Sequence, residues 1–263
     1  MRTIDLNCDM GESFGAYKLG LDEEVIQYVS SANIACGWHA GDAMVMNHTV
    51  RLAAARGVGV GAHAGYPDLL GFGRRNMDCT SDELRNYVIY QIGALGAFCA
   101  ANKVKMRHVK PHGSLYNTAV ANETVARAVA EAIVAVDPSL MYVALAGAGG
   151  RLMTRIGKEV GLNVVYEAFP DRAYTPDGRL VPRSLPGAVI SNPEEVASRA
   201  LMVAKEGKIK AVDGTLLDID AQTVCVHGDN PAAVELVRSI RALLESEGIR
   251  VAPMEPHPSG GPD

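Results

Sequence analysis

The chain is 263 residues long and 48% hydrophobic, and its 25 basic against 30 acidic side chains leave a formal net charge of −5. That apolar fraction excludes a disordered chain, the length is ample for a core without staples, and the acidic balance offers no positive field for non-specific binding to nucleic acid or an anionic membrane. Five cysteines stand apart, at Cys8, Cys36, Cys79, Cys99 and Cys225, with no CxxC pair; together with the lack of a basic-apolar leader or a run of about 18 apolar residues, this predicts a soluble, cytoplasmic protein with reduced thiols.

Strand-like and helix-like segments alternate along the sequence. A first apolar run at Arg2–Cys8 is followed by a second at Ser31–Cys36 and a helical spacing over Met44–Arg56. Val58–Ala62 reads as the third strand, and Thr80-Ser81-Asp82-Glu83 supplies a cap for a helix over Asp82–Asn102. Lys105–Val109, Met141–Leu145 and Leu162–Glu167 continue the strands, with helices expected over Asn122–Val136 and Gly149–Val160. Residues 168–192 form a polar, proline-containing connection, longer than ordinary loops and of the kind that usually carries function or is disordered. A helix over Pro193–Glu206, capped by Asn192, leads to a hairpin-like insert at 208–221, a seventh strand at Thr223–Val226 and a last helix over Pro231–Glu247. Such alternation implies βα units around a parallel sheet, and seven strands in this length lean towards a closed barrel. The expected organisation is one domain over residues 1–252 with a proline-rich, flexible tail from 253 to 263.

The residues that follow the strands carry the chemistry. Strand one runs into Asp9-Met10-Gly11-Glu12, strand two into Cys36-Gly37-Trp38-His39, strand three into His63-Ala64-Gly65, strand four into Lys110-Pro111-His112-Gly113 and the last into His227-Gly228-Asp229. Parallel α/β folds bind ligands at the carboxyl ends of their strands, so these histidines and carboxylates are expected to meet at one rim. His48, His108 and His257 lack this context and read as a helix face, a strand position and the tail. Asp42 fits a helix cap as well as a site, Asp68 a turn as well as a site, and Arg74-Arg75 an anion contact as well as an interface edge. In the long connection, Asp171, Arg172, Tyr174 and Arg183 offer groups suited to holding an anion.

Other motifs fail on context. Gly147-Ala148-Gly149 evokes a dinucleotide loop, but Leu152 stands where the last glycine belongs, and the unit is fifth rather than first. Gly11-Glu12-Ser13-Phe14-Gly15 matches GxSxG without a helix starting at Ser13, so Ser13 is not read as a nucleophile. No GxxxxGK[ST] or HExxH motif occurs.

The blocks DLNCDMGES, SANIACGWHAGD, GVGAHAGYPD with GFGRR, KPHGSLYN, DRAYTPDGRLVPR and VHGDNP, spread in order over about residues 2–249, together resemble the LamB/YcsF family. The resemblance implies a distorted seven-stranded, TIM-like β/α barrel similar to the glycoside hydrolase/deacetylase superfamily. It also implies a part in opening the lactam of 5-oxo-L-proline to L-glutamate at the expense of ATP, with ATP as cosubstrate and the B and C subunits of a 5-oxoprolinase as partners. On that reading the catalytic candidates are Asp9, Glu12, His39, His63, His112 and His227, with Asp9 or Glu12 positioning water and His63 or His112 moving protons. Asn7, Lys110, Asp171, Arg172, Tyr174, Arg183 and Asp229 are the candidates for holding substrate or phosphate. No spacing forms a compact metal motif, so no metal ligand is assigned. Histidines and carboxylates at barrel strand ends nevertheless suit a divalent ion that activates water, which keeps a metal-dependent amide hydrolase or deacetylase as the rival reading. A non-catalytic chain that only binds 5-oxoproline is the third.

Overall fold

A computed structural model describes residues 2–227 and 232–256. The chain begins with β1 (Thr3–Met10), a short α1 (Asp22–Val25), β2 (Ser31–Ala35), α2 (Ala43–Arg56), β3 (Gly59–Ala64) and α3 (Ser81–Ala101). It continues through β4 (Met106–Pro111), α4 (Gly113–Ala121), α5 (Glu123–Val136), β5 (Met141–Leu145), α6 (Arg151–Glu159) and β6 (Asn163–Ala168). After the long connection come α7 (Pro193–Glu206), β7 (Lys208–Lys210), β8 (Leu216–Asp218), β9 (Thr223–Val226), α8 (Ala233–Ser246) and β10 (Arg250–Val251).

β1 to β6 pair in sequence order, all parallel, and β9 pairs with both β6 and β1, which closes a seven-stranded barrel. β10 extends the foot of β1 in parallel, while β7 and β8 form the antiparallel hairpin outside the barrel. All seven predicted strands are present. Four reach further than predicted, and in β1, β3 and β4 this makes Asp9, His63 and Lys110 part of the strand ends rather than of the loops beyond them. α4 was not anticipated, because its start directly after β4 leaves no polar connection to mark it.

The alternation of β1 explains how the barrel is filled. Ile4, Leu6, Cys8 and Met10 join the hydrophobic layer between strands and helices, each larger side chain contributing about 1.5–3 kcal/mol by leaving water. Asp5, Asn7 and Asp9, on the other face, bond to groups of β2, β4, β6 and β9 inside the barrel. On the opposite inner wall, Met141, Val143 and Val165 form a second apolar cluster. Met254 completes that cluster from the last described stretch, buried despite its proline-rich surroundings.

Helix termini follow local chemistry. Asp42 caps α2 by accepting from the Met44 and Val45 amides, Thr80 and Glu83 form a reciprocal capping box on α3, and Asn192 with Pro193 starts α7. Asp42 is therefore a cap. Among the described residues no helix is long and apolar enough to cross a membrane.

Candidate active site

A cavity of about 430 Å³ opens at the carboxyl ends of the strands, with Asp9, His63, Lys110, His112, Arg172, Arg183 and His227 in its lining. It rests on a polar ladder that climbs β1. At the bottom, Ser30 and Ser31 each donate to Asp5 Oδ1 at 2.7 Å and Thr223 donates to Oδ2 at 2.5 Å. Burial outweighs those donors and pushes the Asp5 carboxyl up to about 6. One step up, the Asn7 amide donates to Glu167 at 3.0 Å and to Thr223 at 2.6 Å, and Asn33 Nδ2 donates to Asn7 Oδ1 at 2.6 Å. His108 Nε2 donates to Asn33 Oδ1 at 2.8 Å, and burial pushes this imidazole down to about 3. Gly61 makes room for it: a Cβ there would stand 2.1 Å from His108 Nε2.

At the top of the ladder Lys110 is buried among acceptors. Its Nζ lies 2.9 Å from Asp9 Oδ1, 2.8 Å from Glu167 Oε1 and 3.0 Å from Cys225 Sγ. Burial opposes the ammonium, but the Asp9 carboxylate, with Cys225 and Glu167, holds Lys110 well above its usual range. Burial also opposes charge on Asp9, and His63 and Lys110 overcome it, holding that carboxyl well below the usual range. Lys110 is thus committed to two carboxylates of the protein and has little charge left for an external anion.

Beside this pair, β1 to β4 deliver Glu12, His39, His63 and His112 to one buried point, where one ligand atom from each lies within 4.8 Å of the others. His63 Nδ1 meets the Lys110 carbonyl at 2.9 Å, and His112 Nε2 meets the Phe72 carbonyl at 2.8 Å. A carbonyl only accepts, so both of these nitrogens carry their protons. The other two nitrogens, His63 Nε2 and His112 Nδ1, face each other at 3.0 Å. His39 stacks on His112 with ring centroids 3.7 Å apart and its Nε2 3.6 Å from Glu12 Oε1. Burial and the neighbouring imidazoles hold both His39 and His112 well below the ordinary histidine range, so both are neutral. The loop after β3 is folded tightly over them: Gly73 takes φ +61, and a Cβ there would fall 2.7 Å from the His112 ring and 2.8 Å from His39 Cβ.

The opposite wall comes from the long connection. Asp171 is buried and accepts from His227 Nδ1 at 2.8 Å, and among the described residues no hydrogen bond takes His227 Nε2, on a ring that lines the cavity. Burial works against the Asp171 charge, but His227 and Arg172 hold its carboxyl below the usual range. Arg172 lines the cavity while tying down the loop through the Val181 carbonyl at 2.6 Å and the Ala188 carbonyl at 3.2 Å. Its burial, with Arg183 nearby, brings it down to about 10. Arg199 fastens the same loop to α7 through the Pro170 and Arg172 carbonyls, each at 2.9 Å.

Most of the sequence candidates therefore converge, but not all. Asn7 lies beneath the cavity in the ladder. Tyr174 is fully buried in the core, where its hydroxyl accepts from the Phe169 amide at 2.9 Å, so it does not reach the cavity. Asp68 is occupied by the Gly71 amide and Arg75 and serves the turn. Arg74 lines the cavity and lies over the Phe72 ring. The Ser13 hydroxyl donates to the Leu19 carbonyl in an exposed loop, and Asp229 and His257 lie outside the described residues. Sequence reasoning missed Glu167, Asn33, His108 and Cys225 as site components. A signal existed for His108: it alternates with Lys110 on the inner face of β4, and His112 follows at the same spacing just beyond the strand's end.

The chain matches the model of the LamB/YcsF family over residues 4–259. It is 56% identical over 251 residues to the A subunit of 5-oxoprolinase from Pyrococcus furiosus, covering 95% of this chain and 97% of that one. It is 58% identical over 251 residues to the A subunit of 5-oxoprolinase from Natranaerobius thermophilus, covering 95% and 96%. The crystal structure of the lactam utilization protein from Thermus thermophilus superposes with a TM-score of 0.91 at 48% identity, covering 96% of this chain and all of that one.

Proposed function

The chain belongs to the LamB/YcsF family, and from that premise we propose that it is the A component of an ATP-dependent 5-oxoprolinase, opening the lactam of 5-oxo-L-proline to L-glutamate. The observation that carries the reading is the two-sided cavity. Buried histidines and Asp9 form one wall, and Arg172, Arg183 and the His227–Asp171 pair form the other. A small cyclic amide with a carboxylate matches both sides: proton-handling groups for the ring, and guanidinium groups for the anion.

A lactam is resonance-stabilised, and coupling to ATP overcomes that. The amide oxygen attacks the γ-phosphorus and ADP leaves. Water then adds to the phosphorylated ring carbon and loses a proton, the ring C–N bond breaks as its nitrogen takes up a proton, and a second water releases phosphate from the acyl phosphate. Asp9, held ionised, orients the attacking water. His227, oriented by Asp171 as a positioned base is in a triad, exchanges the proton with the leaving nitrogen. Arg172 and Arg183 hold the substrate carboxylate or the transferred phosphate, and Lys110 keeps Asp9 charged and in place. The relatives are named for one lettered component of 5-oxoprolinase, which makes this chain one part of a larger enzyme, and ATP is handled together with the B and C subunits.

The test is reconstitution of this chain with B and C, ATP and 5-oxo-L-proline, measuring glutamate with each component omitted in turn. Glutamate should form only when all are present. Full turnover by this chain alone would refute the division of labour, and full turnover without it would refute the function.

A further inference from the structure

We infer that Glu12, His39, His63 and His112 bind a divalent transition-metal ion of the zinc class. The tautomers are the starting point. With the Nδ1–H of His63 and the Nε2–H of His112 both held on backbone carbonyls, the two nitrogens that face each other at 3.0 Å both present lone pairs whenever the His63 ring is neutral. Two lone pairs at that distance repel unless a cation lies between or beside them. The same outer-nitrogen bonds are what metal-ligating histidines make to fix ring orientation.

The spacing fits an ion. A tetrahedral site with bonds of about 2.0–2.1 Å has ligand-to-ligand edges of about 3.3 Å. The His63–His112 pair at 3.0 Å, Glu12–His39 at 3.6 Å and Glu12–His112 at 3.8 Å bracket that value. The donor set of three imidazoles and one carboxylate suits zinc, cobalt or nickel better than calcium or magnesium, which prefer oxygen. A proton on His63 Nε2 is the alternative, since Asp9 Oδ2 also lies 3.3 Å from that nitrogen. That proton would leave His39 unaddressed. His39 is fully buried beside Glu12, and neither of its nitrogens has a hydrogen-bond partner among the described residues. An ion accounts for all four side chains at once.

The inference stands on these side chains and goes beyond the 5-oxoproline reading, so the two can fail separately. The test strips the full-length chain with a chelator, dialyses it against zinc or cobalt(II), and measures metal content by mass spectrometry and cobalt absorption in the visible. The expected result is about one ion per chain with tetrahedral cobalt bands, and affinity at least about tenfold weaker in His112→Ala and in Glu12→Gln. His227→Asn, on the opposite wall, should keep the ion. The near-isosteric Glu12→Gln preserves the reading if His112→Ala does not fold. A wild-type chain that is folded by circular dichroism yet takes up no ion would overturn the inference, as would full occupancy in both ligand variants.

Discussion

The two walls of the cavity are built by opposite means. The histidine wall stands on strand ends and on short turns pressed against them; all three rings are buried, with His39 and His112 stacked face to face and neutral and His63 set edge-on against both. The arginine wall stands on a long connection with little regular structure, fastened by guanidinium groups to its own carbonyls. Rigid elements give the first wall the geometric precision that reacting groups need. The arginines of the second wall can be looser, because an anion is held by field and by several donors rather than by one exact distance, while His227 on that side is fixed by the end of β9 and by Asp171.

If that division is right, the walls should fail differently. The largest effect is expected from His63→Ala: glutamate formation by the reconstituted enzyme should fall by about 10³-fold, with the complex still intact on size-exclusion chromatography. Activity surviving that change would move the site elsewhere. Lys110→Met should be felt as stability, since it leaves the buried Asp9 and Glu167 carboxylates without their cation; a loss of about 3–5 kcal/mol in urea unfolding is expected, partly recovered by adding Glu167→Gln.

The floor beneath both walls gives a pH test. The folded protein holds the Asp5 proton up to about pH 6, whereas an unfolded aspartate releases it near 4. The folded state therefore binds more protons across that window, and this group's contribution is full below about pH 4 and lost as pH rises through 6, by at most about 3 kcal/mol. Asp5→Asn should remove that slope, so the difference in Tm between variant and wild type should drift between pH 4 and 6.5 and be flat above. A constant difference throughout would show that Asp5 does not titrate in this range. The smallest effect belongs to the arginine wall: Arg183→Ala should raise KM for 5-oxo-L-proline by about tenfold with kcat changed less. A fall in kcat at constant KM would erase the distinction between the walls.

Much of this was legible in the sequence. The strands were visible because each is a short apolar run between polar, glycine-containing turns, and the rim histidines because strand ends in parallel folds face one place. α4 was hidden because Gly113 opens it directly from β4. Glu167 was hidden because one acid at the end of an apolar strand looks the same whether it points to solvent or into a barrel. Tyr174 shows the converse, a polar ring in a polar loop that reads as a site residue yet folds into the core.

By itself, then, the sequence determined the alternating β/α architecture and the set of side chains at the strand ends, since both depend on local periodicity and on the direction of the chain. Tertiary structure decided which of those side chains touch. Closure of β9 onto β1 brings Cys225 and Thr223 against Asp9, Asn7 and Asp5, and the curl of the sheet sets Lys110 between carboxylates from β1 and β6. Apart from Lys110 with Glu167, those contacts span more than a hundred residues, and no local pattern encodes a distance that only the closed barrel defines.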